Sequence, residues 1–127
     1  MLDVQTRALL GGTLDPASFD HEAHIRVAWD LQKERGPEAG GRLFADGLRA
    51  YTARHGAADK FHETLTVAFL ALISHHLDAD GWDSFRVEAA RLFEDPQRLL
   101  WRFYSPEILA DPAARRAFVA PDRMPLP

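Results

Sequence analysis

Phe61-His62-Glu63-Thr64-Leu65-Thr66-Val67-Ala68-Phe69-Leu70-Ala71-Leu72-Ile73-Ser74-His75-His76-Leu77 is the most apolar stretch of the chain, and its period decides the fold class. At about 100° per residue, Phe61, Leu65, Ala68, Phe69, Leu72 and Ile73 share one arc, which is the signature of a helix packed on a core. Asp59 stands where an N-cap would, so a helix is expected over 61–77.

Glycine and proline divide the remainder into helical lengths. A short helix fits 3–10, ended by Gly11-Gly12, and Asp15-Pro16-Ala17-Ser18 reads as a turn. Ser18 or Asp20 then caps a helix over 19–35, which Gly36-Pro37 stops. Pro37 suits the first turn of a helix over 37–54, although Gly40, Gly41 and Gly47 each disfavour it by up to about 1 kcal/mol relative to alanine. Beyond Asp78-Ala79-Asp80-Gly81 a helix fits 82–93, and Asp95-Pro96 restarts one as far as Phe103. Ser105-Pro106 and Asp111-Pro112 are caps followed by proline in a first turn, and the proline-rich stretch 121–127 is an extended tail. No stretch alternates apolar and polar residues over β-branched positions. The expected fold is all-α, an irregular bundle of about five to seven helices forming a single domain over 1–127.

Composition narrows the function classes. With 46% apolar and 27% charged residues in 127, the chain is long enough for one core. A net charge of −4 argues against a nucleic-acid surface, which needs a basic excess. The absence of cysteine removes disulfides, thiolate zinc sites and thiol nucleophiles. No basic-then-apolar leader and no run of roughly 20 apolar residues is present, so a cytoplasmic protein without a membrane partner is expected. A leftover apolar face on so small a helical domain suggests a homodimer.

Chemistry concentrates in the histidines. His21 and His24, spaced i, i+3, project toward the arc of Ile25, Ala28, Trp29 and Leu31, and His62 and Glu63 open the apolar helix. Buried polar groups left unpaired cost roughly 1–3 kcal/mol each, so these side chains must bond one another, the backbone, water, a metal or a ligand. Three readings follow. In the first, His24, His62 and Glu63 ligate a divalent metal, the candidate cofactor, with open positions for substrate. The order His21-Glu22-Ala23-His24 is one residue short of the zinc-protease motif H-E-x-x-H. In the second, His24, His62 and Glu63 perform acid–base catalysis with Tyr104 as a further donor, and Trp29, His21 and Phe69 line the pocket. In the third, Glu63 favours the positive end of a helix and His62 bonds a neighbouring loop, both without chemistry. His75 and His76 suit the carbonyls at a helix C-terminus, and Ser105 suits a cap, since no G-x-S-x-G turn surrounds it. Gly40-Gly41 lacks the lysine of a phosphate loop, and the tryptophans and phenylalanines read as core.

Three stretches carry a resemblance: Phe19-Asp20-His21-Glu22-Ala23-His24-Ile25-Arg26-Val27-Ala28-Trp29, Phe61-His62-Glu63-Thr64-Leu65-Thr66, and Phe118-Val119-Ala120-Pro121-Asp122-Arg123-Met124-Pro125-Leu126-Pro127. In these the chain resembles an uncharacterised family of small bacterial all-helical proteins with a His-Glu-Thr signature. The resemblance implies a free-standing protein and brings no activity with it. The expected function is a small-molecule-binding helical protein with a buried His/Glu pocket, as a metal-assisted or acid–base enzyme. The alternative is a non-catalytic interaction module with packed histidines.

Overall fold

A computed structural model describes every residue but Met1, and it is helical without strands among them. The chain divides into two compact units, Met1–Phe61 and His62–Pro127.

The first unit is built from three helices. α1 (Val4–Gly11) starts at Asp3, whose carboxylate accepts from the Gln5 amide, and ends at Gly12 in the left-handed region with φ of 75°. The left-handed φ is what favours glycine at Gly12, whose carbonyl accepts from the Arg54 guanidinium at 2.9 Å. α2 (His21–Arg35) is capped by Asp20, which accepts from the Ala23 amide at 2.9 Å. α3 (Pro37–Arg54) follows after Gly36. Within α3, a Cβ at Gly40 would lie 2.3 Å from the Leu31 carbonyl oxygen of α2. The glycine that weakens the helix locally is therefore what lets two backbones meet. Asp30 of α2 ties down α1, since its Oδ2 accepts from the Asp3 amide at 2.8 Å and the buried Thr6 hydroxyl at 2.7 Å. The core of the unit is Leu9, Ile25, Val27, Ala28, Trp29, Leu31, Phe44 and Leu48.

The second unit holds six helices. α4 (Glu63–Ser74) has no exposed residue along its length, as expected of a segment this apolar on every side. It packs against α9 (Pro112–Arg116). Its start corrects the sequence expectation: His62, not Asp59, is the N-cap, while Ala58–Lys60 forms a separate 3-10 turn. Residues 75–81 form turns rather than the last helical turn.

The helix expected over 82–93 is two, α5 (Trp82–Glu88) and α6 (Ala90–Glu94), broken at Ala89. No glycine or proline marks that break. Its reason is tertiary: the Phe85 and Phe93 rings meet edge-to-face at 6.1 Å, whereas eight residues of straight helix would rise about 12 Å. Trp82 closes the trio, 5.6 Å from Phe85 and 5.8 Å from Phe93. α7 (Pro96–Trp101), α8 (Pro106–Ala110) and α9 each begin with proline behind a capping Asp95, Ser105 or Asp111, as their sequences dictate. The split, together with these short proline-led turns, raises the number of helices among the described residues to nine, above the five to seven expected. Residues 117–127 form a non-helical arm. No helix among the described residues is long and apolar enough to cross a membrane.

Candidate functional site

The His-Glu-Thr segment is a set of staples. The Leu65 amide donates to His62 Nδ1 at 3.1 Å, and His62 Nε2 lies 3.1 Å from the Leu109 carbonyl oxygen. Nδ1 therefore accepts and Nε2 donates, the pattern of one neutral tautomer with both nitrogens committed. The His62 carbonyl also accepts from the Thr66 hydroxyl at 2.7 Å. Thr64, fully buried, donates its hydroxyl to the Ala117 carbonyl at 3.0 Å and accepts from the Val119 amide at 3.1 Å. Glu63 is a half-buried first-turn acid of α4, where the positive end of the helix favours it.

Tyr104 works in the same direction. It is fully buried, and its hydroxyl donates to the Val119 carbonyl at 2.6 Å. Burial, and then the nearby Asp122 carboxylate, push the phenol above its usual range. Asp122 itself is held below the ordinary carboxylate range, first by the Ser105 amide that donates to it at 2.8 Å and then by the Ser105 hydroxyl. Arg123 completes the attachment, donating its amide to the Phe103 carbonyl at 2.9 Å and its Nη1 to the Trp101 carbonyl at 2.8 Å. The arm is thus not free: five residues of the second unit (Thr64, Trp101, Phe103, Tyr104 and Ser105) hold it at 117, 119, 122 and 123.

In the first unit, His21 is exposed at the start of α2 and does not join the buried arc, while His24 is half-buried. The His24 ring lies 3.9 Å from that of Phe19, which meets Tyr51 edge-on at 5.2 Å. Tyr51 in turn lies 4.5 Å from His55. Among the described residues no hydrogen bond engages the His24 ring. Burial chiefly, and then His21, lower its pKa to about 4 against the opposing pull of Asp20, so the imidazole is neutral near pH 7. The Tyr51 hydroxyl is buried without a hydrogen-bond partner, and its pKa is raised by burial and then by Asp15. Trp29 is core, with Arg26 and Lys33 over its ring at 5.6 and 5.9 Å. Phe69 is half-buried on α4.

The expected site residues thus fall into two groups. His21, His24 and Trp29 belong to the first unit, and His62, Glu63, Phe69 and Tyr104 to the second. Among the described residues no group of three histidine, aspartate or glutamate side chains that could hold a metal ion is found, which leaves the expected ligand set of His24, His62 and Glu63 without support. Its chemistry also runs against the hydrogen bonds that occupy both nitrogens of His62.

The second unit contains a cleft that the sequence reading did not anticipate, with a volume of about 520 Å³. Leu72 of α4, Leu92 of α6 and Phe103 form a buried apolar floor. Met124, Pro125 and Pro127 of the arm form one wall. His75, His76, Glu88, Arg91 and Arg102 also line it. Arg91 and Arg102 are exposed, and among the described residues no carboxylate pairs with either. One signal was available: Arg102 has no acid three or four positions away in either direction, so its helix offers it no partner. The convergence of His75, Arg91 and Arg102 depends on the turns at 75–81 and the break at Ala89, which no local pattern announces. Against protein-family models, curated proteins and solved structures alike, the chain shows no match.

Proposed function

We propose that the chain is a small-molecule-binding helical protein whose ligand occupies the cleft of the second unit, without catalysis. The observation that carries this reading is the pairing of a buried apolar floor with unpaired cationic and imidazole side chains around about 520 Å³. Small-molecule sites commonly enclose roughly 300–1,000 Å³ and join an apolar lining to a few polar groups in this way. A non-catalytic role is favoured by His62 and Tyr104, two of the expected proton carriers, both in the second unit. Their polar atoms are spent on backbone groups.

The test is a fragment titration of the full chain followed by NMR of the His75 and His76 rings. Leu99, half-buried on the lining, is replaced by tryptophan in a control that fills the cleft. The reading expects fragments that shift both imidazoles in the wild type and not in Leu99→Trp. Equal shifts in the two proteins, or none in either, would remove it.

A further inference from the structure

Resting on the cleft reading, we infer that the ligand is a small amphipathic monocarboxylate: an apolar body carrying one carboxylate. The argument is one of charge and shape. Arg91 and Arg102 bring two permanent positive charges to the mouth, and Glu88 is the single acid on the lining. The two guanidinium groups against one carboxylate leave one net positive charge from these three side chains, opposite in sign to the chain's net −4. A guanidinium with no protein partner is a planar fork of donors, suited to a carboxylate in two parallel hydrogen bonds. A single negative charge balances the site, whereas a dianion would leave one charge uncompensated above the buried surface of Leu72, Leu92 and Phe103.

The imidazoles extend the donor set. His75 and His76 follow the end of α4 with their rings 5.1 Å apart and edge-to-face. Among the described residues no hydrogen bond occupies either ring, so each offers an N–H to a bound anion without breaking one. The wall opposite is Met124 with two prolines. A flexible thioether adapts to irregular apolar outlines, so this wall accepts a hydrocarbon body without dictating its exact form. Arg123 anchors the arm one residue earlier through two bonds to backbone carbonyls, which holds Met124 at the cleft.

The experiment uses three matched probes with the full chain: 4-phenylbutanoate, 4-phenylbutanamide and 4-phenylbutylamine. Calorimetry gives the affinities and the His75 and His76 ring signals report the place of binding. The acid should bind about tenfold more tightly than the amide, with the amine weakest. Arg91→Gln and Arg102→Gln should each weaken the acid about fivefold while leaving the amide unchanged, and added salt should weaken the acid alone. Both arginines are exposed, so neither substitution endangers the fold. If the amide or the amine binds as tightly as the acid, or if both glutamine variants hold the acid as well as wild type, the carboxylate assignment falls and the cleft reading stands. If none of the three probes moves either imidazole, both fall.

Discussion

His24 and His62 look alike in sequence, each an imidazole near the start of an apolar helix, yet the two units treat them in opposite ways. His62 has both nitrogens bonded and caps α4. His24 has neither nitrogen bonded to the protein, lies against Phe19 and stays neutral because burial disfavours its charge. The tyrosines repeat the contrast. Tyr104 in the second unit donates to Val119, while the buried Tyr51 hydroxyl in the first has no partner. A polar group on an apolar face is therefore not one kind of thing. His62 and Tyr104 of the second unit join segments distant in sequence, whereas His24 and Tyr51 of the first are costs that the surrounding packing offsets.

The largest effect expected from this contrast is at His62. His62→Ala removes a cap, leaves the Leu109 carbonyl without its donor and opens a small cavity, which together should cost about 3 kcal/mol in urea unfolding. His62→Asn, which restores a cap acceptor but not the bond to Leu109, should recover about 1 kcal/mol of that. His24→Ala should cost less than half as much as His62→Ala. Equal losses at the two positions would erase the distinction between the units.

The legibility of the sequence follows the same line. α3 is expected over 37–54 and found at Pro37–Arg54, because Gly36-Pro37 and Gly56 are local signals. The caps at Asp20, Ser105 and Asp111 were readable for the same reason: a side chain bonding an amide two or three residues away is a property of short sequence. The break at Ala89 was not readable, since it serves Phe85 and Phe93, whose meeting is tertiary. Likewise the bond from His62 to Leu109 spans 47 residues and that from Thr64 to Val119 spans 55. The wheel could say that His62 lies where water is scarce, and only the fold could say which backbone groups meet it and that Thr64 is buried with it. His21 shows the converse limit, because a residue in the first turn of α2 escapes the face that its angle assigns to it.

A pH series sharpens the comparison next. The folded pKa of His24, about 4, lies below the unfolded value near 6.5. Above pH 6.5 both states are neutral and the group contributes nothing. As pH falls from 6.5 toward 4, the unfolded chain takes a proton that the folded chain refuses, so stability declines by roughly 2–3 kcal/mol over that window. The difference between wild type and His24→Gln isolates this share, and it should grow steadily between those two values. The Asp122 contribution has the opposite origin: its folded pKa is depressed, so its stabilisation is present above the ordinary carboxylate range and lost only at lower pH. A wild-type curve parallel to that of His24→Gln from pH 7 to 4 would mean that the first unit keeps its imidazole wet.

Thr64→Val tests the staple with almost no change of shape. The buried hydroxyl that donates to Ala117 and accepts from Val119 disappears, and the Ala117 carbonyl and Val119 amide lose that partner. A loss of about 1–2 kcal/mol is expected, with the Val119 amide exchanging its proton much faster than in wild type. Since the arm also forms a wall of the cleft, the signals of Met124 should broaden in the same variant. Unchanged exchange at Val119 would show that Tyr104 and Asp122 suffice to hold the arm.

The smallest effect is also the most discriminating. Tyr104→Phe and Tyr51→Phe remove the same atom from buried rings in the two units. At Tyr104 the hydroxyl leaves behind the Val119 carbonyl it had satisfied, so the substitution should cost about 1–2 kcal/mol. At Tyr51 the hydroxyl has nothing to lose, since folding has already stripped it of water without supplying a partner. Its removal should leave stability unchanged or raise it by up to about 1 kcal/mol. Phe19 and His55 would keep their ring contacts with the new phenylalanine, because those contacts involve the ring and not the oxygen. A clear loss at position 51 would mean that the hydroxyl holds an ordered water, and the first unit would then share the bonding logic of the second.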